Sequence, residues 1–468
     1  MTAPHTTSPP TSLLRQLTLV SATALVISNM IGQGILTSSG FLAGQLGSPS
    51  LVMWIWVVGA LCAFLGAVCY SELAVNQPGS GGEYVYLTNA YGPTWGFMSG
   101  FVSFFAGFSG PIAASALAFS GYLGYFFPAA RHENSQVFLG SGEWTLRFGG
   151  EQAAACALVL FFTVLNCLGV ARTARIQNVL TAMKVLVLAA FVAMGFLIGQ
   201  GSLVHFSMDA VRTETTPLAA QFAVSLFWIY VAYSGWNAAT YVAEEIRDPS
   251  RNLPRALAIG TALVTVLYLA LNAVFIYGAP LEDLKNQEAV AAVAAKHLFG
   301  TRIAGVFAAL MAISLMSTVN AMVTIGPRVY FAMARNGAFV SAAAKVHPRW
   351  RTPVTAIVAQ GVCTMLMTLT PFPQLVVYIG FMLNLCAVMS VASLFWMRRR
   401  PGWKKLPAVS FGWPLVPSLF LLVGGWMIVR GVQLKPVISL ISVLTVGAGV
   451  AVYHFRERTR RRPAAEMF

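Results

Sequence analysis

Long apolar runs separated by short polar segments make up most of this chain. About twelve of them reach or exceed the roughly 20 residues that an α-helix needs to cross the hydrocarbon core of a bilayer. The pattern therefore predicts an all-α integral membrane protein with about twelve transmembrane helices. The predicted spans lie near 18-44, 50-73, 93-127, 151-170, 178-199, 217-244, 255-278, 301-333, 353-370, 374-397, 413-430 and 435-455.

Two of these runs are interrupted by glycine and polar residues. The first contains Gly32, Gln33 and Gly34, and the sixth reads AYSGWN over 232-237. Each glycine weakens a helix by about 1 kcal/mol, and an unwound backbone at membrane depth persists only where protein or a cavity satisfies its amides. Paired interruptions in corresponding halves indicate a transporter with a site near the bilayer midplane. The alternative is that these glycines only allow close helix packing.

The positions of the two breaks divide the chain into repeats. They fall in spans one and six, so 18-199 and 217-397 are predicted to be two five-span repeats. Five is an odd number, so the second repeat is inverted relative to the first. Residues 413-455 then form two appended spans. Residues 1-17, rich in Thr, Ser and Pro, are predicted to be a disordered cytoplasmic tail, and 456-468 a basic cytoplasmic tail.

Composition and charge support a polytopic membrane protein. The chain is 57% hydrophobic and only 10% charged, which excludes an ordinary soluble domain. Its net charge of +15 indicates topology rather than nucleic-acid binding. With both termini in the cytoplasm, 21 of the 30 Lys and Arg residues lie inside and eight outside, as the positive-inside rule expects. We expect the lipid bilayer, not nucleic acid, as the surrounding partner.

Catalytic and metal-binding groups are sparse in the spans. All six cysteines sit inside apolar runs without metal-ligand spacing, and the histidines fall outside the spans or at their margins. We therefore expect no enzyme activity, no cofactor and no metal site. A channel is disfavoured as well, because rings of charge or a repeated filter are not visible, whereas two broken helices are typical of a carrier.

Two loops are predicted to contain helices. The segment PGSGGEYVY over 78-86 reads as a turn followed by an amphipathic helix along the cytoplasmic face. Residues 279-300 read as an external helical loop that could act as a lid. In both cases the alternative is an ordinary solvated connector.

Several longer motifs occur in order along most of the first ten spans. They are GQGI in span one, CYSEL and PGSGGEYVYL around the end of span two, GWNAATYVAEEIRDPSRNLPRA through the end of span six, and GPRVYFAMARNG with KVHPRWRTPV after span eight. With these motifs the chain resembles the amino acid permeases of the amino acid-polyamine-organocation superfamily, in particular the L-amino acid transporter group and its bacterial relatives. The resemblance implies a leucine-transporter-like inverted-repeat fold, discontinuous helices 1 and 6, and alternating access.

The resemblance also implies where an amino acid would bind. Its carboxylate would meet the free amides of Gln33, Gly34 and Ile35. Its ammonium would meet carbonyls near Met30, Ile31, Val231 and Ser234. Half-helix ends suit a zwitterion, because an N-terminus presents unpaired N–H groups and a C-terminus unpaired carbonyls. Side-chain selectivity would fall to Asn237, Asn384 and residues 107-111, although a buried amide bridging two helices is the alternative for Asn384.

The chain departs from the resembled family at three points. Gln33 stands where a small residue, often Ser, lies between the two glycines, which leaves open whether its side chain competes for the carboxylate or packs elsewhere. Val231 replaces an aromatic gate residue. Residues 128-150 contain no cysteine, whereas animal members pair with a glycoprotein through an external one. We therefore expect no disulfide-linked heavy chain.

Lys184 is a lysine inside the fifth apolar run. Such a residue costs about 3 kcal/mol on insertion scales, so it should be paired or functional, unless it snorkels to the cytoplasmic face. In the resembled family a lysine here reaches toward the broken span one, where sodium-coupled relatives hold a sodium ion. This implies transport without sodium, and proton coupling through Lys184 stays open.

The acidic residues bear on the substrate. A cationic substrate would require a carboxylate at membrane depth, and the acids nearest the core, Glu72, Glu244 and Glu245, lie toward cytoplasmic ends of spans. We therefore predict a secondary transporter of neutral L-amino acids, sodium-independent and with exchange as one mode, in a cell membrane such as the bacterial inner membrane. Proton-coupled or exchange transport of cationic amino acids or polyamines is the alternative.

Overall fold

The fold is almost entirely helical. The structure is a computed structural model that describes residues 17–465, apart from 78, 80, 142–143, 169, 336–338, 351 and 407–411. In the order of the predicted spans, the helices are Leu19–Met30 with Gln33–Leu46, Pro49–Asn76, Pro93–Val102 with the π-helical Ser103–Ser109 and Gly110–Leu123, Gly150–Cys167, Val170–Leu197, Leu218–Tyr233 with the 3₁₀-helical Ala238–Glu245, Pro249–Gly278, Val290–Arg335, Val354–Met367, Phe372–Met397, Leu415–Leu434 and Pro436–Ala465. We call these spans one to twelve.

The number of membrane crossings agrees with the prediction except at one helix. In the described part of the chain, ten helices are long and apolar enough to cross a membrane, or eleven with the bent pair of span one. The predicted ninth span holds the 14-residue helix Val354–Met367, which is shorter than a full crossing requires. The total of twelve spans and the inverted repeat stay predictions.

Proline and glycine mark several helix boundaries. Pro49, Pro93 and Pro249 stand in the first turn of their helices, where the fixed φ of proline suits the helix and its missing N–H would have no partner. Span one ends before Gly47, whose φ of 71° is the left-handed conformation that glycine adopts readily at a helix C-terminus. Local sequence therefore defines where many spans begin and end.

Burial separates a central group of spans from a peripheral one. In span ten, 72% of the most apolar window is buried within the protein, against 22% in span twelve and 28% in span five. The exposed residues of the peripheral spans include large apolar side chains such as Leu197, Leu422 and Leu444. An apolar surface of this kind suits lipid contact. Spans one, six and ten lie in the interior, where a substrate site would be shielded.

Both loops that were predicted to contain helices do so. Glu83–Tyr91 forms a helix between spans two and three. After span seven come the short helix Leu281–Leu284 and the first turns of Val290–Arg335, which bends at Gly300 where φ is 79°. We call residues 279–300 the outer loop, after the side of the membrane on which they are predicted to lie. Its Asn286 backbone amide donates to the Gly40 carbonyl of span one at 2.8 Å. The lid role of the outer loop stays a prediction.

A two-stranded antiparallel ribbon departs from the all-α prediction. Strands β1, Gln136–Ser141, and β2, Trp144–Phe148, pair between spans three and four. Their β-branched and aromatic residues favour strands, and the ribbon lies outside the spans, where no helical crossing is required. The short 3₁₀ turns that complete the connecting segments are Pro128–Ala130, His132–Asn134, Leu203–Ser207 and Ser341–Ala344.

The two predicted tails differ in outcome. The predicted disordered tail lies outside the described residues except for Leu17, whose backbone pairs with Glu245 and Arg247 at the end of span six. The final helix continues to Ala465, so most of the predicted basic tail extends span twelve. Arginine and glutamate are good helix formers, which accounts for this continuation.

Candidate functional site

The break in span one separates two half-helices that meet at an angle of 40°. The first ends at Met30, and the second begins at Gln33 after two residues of extended backbone, Ile31 and Gly32. The first N–H groups of a helix have no partner within that helix. The amides of Gln33, Gly34 and Ile35 therefore stand at a helix start, as the predicted carboxylate site requires.

The break in span six follows Tyr233. Ser234 is extended, Gly235 has a φ of 98°, and helical structure resumes at Ala238. Two features of the structure require glycine at position 235, its backbone conformation and its close contact with span one. Its φ lies in the region that only glycine adopts readily, and a Cβ at this position would come within 2.8 Å of the Asn29 carbonyl carbon.

The two breaks pack directly against each other. A Cβ on Gly34 would lie only 2.3 Å from Ala232 Cα and 2.5 Å from Ala232 Cβ. A side chain at Gly34 would thus push span six away from span one. The space beside Gly34 is filled by protein in this structure, so a larger residue there acts on the helix crossing as well as on any ligand.

Lys184 is the cation at the first break. Its Nζ donates to the Ile31 carbonyl at 2.6 Å and lies 3.5 Å from the Ser28 carbonyl and 3.4 Å from Thr318 Oγ1. The side chain is 1% exposed, so its ammonium does not snorkel to either membrane face. It joins span five to the carbonyls that the break in span one leaves open, and its role in transport stays a proposal.

Tyr268 of span seven is a site residue that the sequence analysis missed. Its hydroxyl donates to the Met30 carbonyl at 2.6 Å and lies 3.2 Å from the Ala232 carbonyl. One hydroxyl therefore bridges a carbonyl at each break. The signal in the sequence was a tyrosine within an apolar run, four residues before Asn272.

The Gln33 side chain packs toward span three. Its Oε1 accepts a hydrogen bond from the Ser115 hydroxyl at 3.0 Å, and the residue is 4% exposed. The question that the sequence left open is thus answered for this conformation, in which the Gln33 side chain bonds Ser115.

The predicted selectivity residues 107–111 overlap the π-helical turn Ser103–Ser109. Such a distortion is frequent at functional sites.

Asn237 points toward the loop helix Glu83–Tyr91. Its Nδ2 donates to Glu83 Oε1 at 2.7 Å, and Tyr70 and Tyr241 also donate to the Glu83 carboxylate. Burial raises the pKa of the Glu83 carboxyl, while the hydrogen bonds that it accepts lower it. The sequence analysis considered other acids and missed Glu83, although it lies in the quoted motif after span two.

The remaining predicted residues are placed as follows. Asn384 is buried in span ten, and its Nδ2 donates to the Gly424 carbonyl of span eleven at 3.0 Å. This contact matches the alternative of an amide that bridges two helices.

The Val231 carbonyl accepts from both the amide and the hydroxyl of Ser234, at 3.1 and 2.7 Å. A carbonyl has two lone pairs, so the Met30 carbonyl, which accepts from Tyr268, retains further acceptor capacity, whereas both lone pairs of the Val231 carbonyl are taken by Ser234.

We expect Tyr268→Phe to weaken substrate binding about tenfold. The change removes only the hydroxyl and leaves the Met30 carbonyl without this donor, and a buried carbonyl left unpaired costs about 1–3 kcal/mol. Substrate-induced thermal stabilisation of the purified protein measures the effect. Tyr125→Phe is the matched control, because its hydroxyl bonds the Thr301 carbonyl at an exposed position. If Tyr268→Phe and Tyr125→Phe bind the substrate with equal affinity, Tyr268 has no role at the breaks.

Comparison with known proteins gives a consistent result along nearly the whole chain. The family model described as amino acid permease matches residues 17–450. The chain is 32% identical over 464 residues to the human large neutral amino acids transporter small subunit 2, covering 97% of this chain and 82% of that protein. It is 29% identical over 464 residues to the mouse Asc-type amino acid transporter 1, covering 97% and 83%.

A third relative extends this similarity. The mouse b(0,+)-type amino acid transporter 1 is 28% identical over 455 residues, which cover 95% of this chain and 88% of that protein. The region matched by the family model includes spans one, five and six and the loop helix Glu83–Tyr91 of this chain. On this similarity and on the fold described above, the chain belongs to the amino acid permease family.

Proposed function

We propose that the protein moves neutral L-amino acids across a cell membrane by alternating access, without sodium and with exchange as one mode. The observation that carries this proposal is the junction of the two breaks. The starting amides of one half-helix, at Gln33, Gly34 and Ile35, lie beside the Met30 carbonyl, which retains an acceptor lone pair. The Val231 carbonyl would accept an ammonium in exchange for one of its bonds from Ser234. Such a junction offers donors to a carboxylate and acceptors to an ammonium, so it fits the part that all amino acids share.

Two further features support the absence of sodium coupling and the neutral substrate. The Lys184 ammonium donates to the Ile31 carbonyl, which is the type of ligand that a sodium ion would otherwise use. The relatives include a protein whose name specifies large neutral amino acids. Side-chain selectivity is proposed for Asn237, with Asn384 as a residue that acts through span eleven.

The alternative substrate class has one observation in its favour. The Glu83 carboxylate is buried and bonded to Asn237, so a carboxylate does lie next to a proposed selectivity residue. Proton-coupled or exchange transport of cationic amino acids or polyamines would use such a group. The three side-chain donors that already bond Glu83 make it a less available partner, and we favour neutral substrates.

Uptake into proteoliposomes tests the proposal. We expect labelled leucine or alanine to enter in sodium-free buffer and to enter faster when unlabelled neutral amino acid is present inside. Labelled arginine and putrescine are the controls for the alternative. Uptake that requires sodium, or that is faster for arginine than for every neutral amino acid, would contradict the proposal. Trans-stimulation also separates a carrier from a channel.

The proposed cellular setting follows the charge distribution. We propose a bacterial inner membrane with both termini in the cytoplasm, because the basic residues concentrate on that side. We also propose that no heavy chain is attached by a disulfide through residues 128–150, since this segment contains no cysteine. The human relative is named as a small subunit, so a non-covalent partner is compatible with this proposal. Electrophoresis of the membrane-extracted protein with and without reductant tests the disulfide.

A further inference from the structure

Three ionisable side chains from distant parts of the chain meet beyond the outer ends of spans three and four. His132 lies in the segment after span three, Glu151 in the first turn of span four, and Glu288 in the outer loop. One possible metal-ligating atom from each lies within 4.8 Å of those from the other two. This group is separate from the breaks in spans one and six.

The group is held in place by hydrogen bonds on one side. Glu151 Oε2 lies 2.9 Å from His132 Nδ1 and accepts from Ser135 Oγ at 3.3 Å and from Gln152 Nε2 at 2.9 Å. Glu151 is 0% exposed, and its other oxygen, Oε1, is buried with no hydrogen-bond partner among the described residues. A buried carboxylate oxygen without a donor is costly, and it marks a position where a cation would be stabilised.

We infer that His132, Glu151 and Glu288 form a binding site for a divalent transition metal ion such as Zn²⁺. An imidazole with carboxylates is a ligand set that zinc accepts, with a water completing four-fold coordination. Tetrahedral zinc with bonds of about 2.1 Å places its ligands about 3.4 Å apart. The most distant pair in the 4.8 Å group would thus have to contract by up to about 1.4 Å, which side-chain rotation of the half-buried His132 and Glu288 permits.

The positive charge of Arg147 disfavours binding of a metal ion, and its removal therefore gives a test with a predicted direction. Its Nη1 lies 3.1 Å from His132 Nε2, so a unit positive charge stands next to the proposed ligand. A metal ion must bind in spite of this charge. Replacing Arg147 by glutamine should therefore tighten metal binding, a direction that general damage to the fold would not produce.

A metal ion here would tie the outer loop to spans three and four. Glu288 packs over span three, because a Cβ on Gly121 would lie 2.9 Å from Glu288 Oε2, and the same loop bonds span one through Asn286 and Gly40. Movement of the loop relative to span four would break the coordination. External zinc should therefore inhibit transport. This consequence rests on the proposed function, whereas metal binding does not.

Thermal unfolding of the purified full-length protein in detergent, titrated with ZnCl₂, tests the site. A ligand that binds only the folded state raises the midpoint in a concentration-dependent way. We expect His132→Gln and Glu288→Gln to raise the apparent Kd at least about tenfold, and Arg147→Gln to lower it about fivefold. MgCl₂ should have no comparable effect, because magnesium prefers octahedral oxygen ligands.

Matched controls remove the same groups outside the site. Glu133→Gln removes an exposed carboxylate next to His132, and His297→Gln removes an exposed imidazole that pairs with Asp283 at 3.4 Å. Both should keep the zinc response of the unmutated protein. A zinc response that is missing in the unmutated protein, or unchanged in both His132→Gln and Glu288→Gln, would overturn the inference. If zinc binds but no amino acid is transported, the proposed function fails and the metal site stands.

Discussion

Uptake by Lys184→Ala is expected to fall about 10-fold to 100-fold, in sodium-free and sodium-containing buffer alike. The Lys184 ammonium donates to the Ile31 carbonyl at 2.6 Å and is buried. Its removal leaves a buried carbonyl unpaired, at a cost of about 1–3 kcal/mol, and every 1.4 kcal/mol corresponds to a factor of ten. The unwound segment of span one would lose its link to span five, so the conformation that binds substrate would be populated less.

The control for this prediction is another lysine. Lys296→Ala removes an exposed lysine of the outer loop and should leave uptake unchanged. Substrate-induced thermal stabilisation distinguishes lost binding from slowed translocation in the Lys184 variant. Normal turnover by Lys184→Ala, or sodium-dependent uptake by the unmutated transporter, would show that the lysine does not take the place of a sodium ion.

Gly34→Ala is expected to weaken substrate-induced stabilisation strongly, with substrate affinity reduced roughly 10-fold to 100-fold, while Gly32→Ala two residues away retains it. A Cβ on Gly34 would lie 2.3 Å from Ala232 Cα, whereas one on Gly32 would meet only Thr318 Cγ2 at an ordinary 3.5 Å. The backbone of Gly32 is extended, with φ of −149°, so alanine is accommodated there. Forcing an extra methyl into a packed crossing costs about 1–3 kcal/mol, enough to reduce binding roughly 10-fold to 100-fold.

Size-exclusion elution and the unfolding midpoint without substrate establish whether each glycine variant is folded. The Gly34→Ala protein should elute as the unmutated one does, with a lower midpoint. Valine at position 34 would add two further carbon atoms at the same contact and should act more strongly. Should Gly34→Ala retain full substrate-induced stabilisation, the amides at the start of the second half-helix would not be the carboxylate site.

Some features of the site could be anticipated from neighbouring residues alone. The break in span one follows from two glycines around Gln33, because glycine lowers helix stability wherever it occurs. The break in span six follows in the same way from Ser234 and Gly235. Lys184 in span five could be singled out from the sequence, because a charged residue within an apolar run is energetically costly. These inferences concern the local free energy of a segment, which does not depend on its neighbours in space.

Other features were beyond local reasoning. The sequence left the direction of the Gln33 side chain open and predicted that Asn237 and Asn384 shape the substrate site, with a helix-bridging amide as the alternative for Asn384. It did not identify their partners, which are Ser115, Glu83 and Gly424. Successive side chains of a helix point about 100° apart, since 3.6 residues make a turn. A small difference in helix rotation therefore changes which neighbour an amide meets.

The amino-acid sequence by itself determined the membrane-spanning character of this protein, the places where spans one and six unwind, and the presence of a cation at membrane depth. Tertiary structure alone decided which carbonyl Lys184 reaches, that Tyr268 bridges both breaks, and that His132, Glu151 and Glu288 meet. The physical reason is the separation along the chain of the residues that interact. Hydrophobicity and helix propensity act through adjacent residues, whereas these hydrogen bonds and ligand groups join residues 19 to 238 positions apart. Only the packing of the spans brings such residues together.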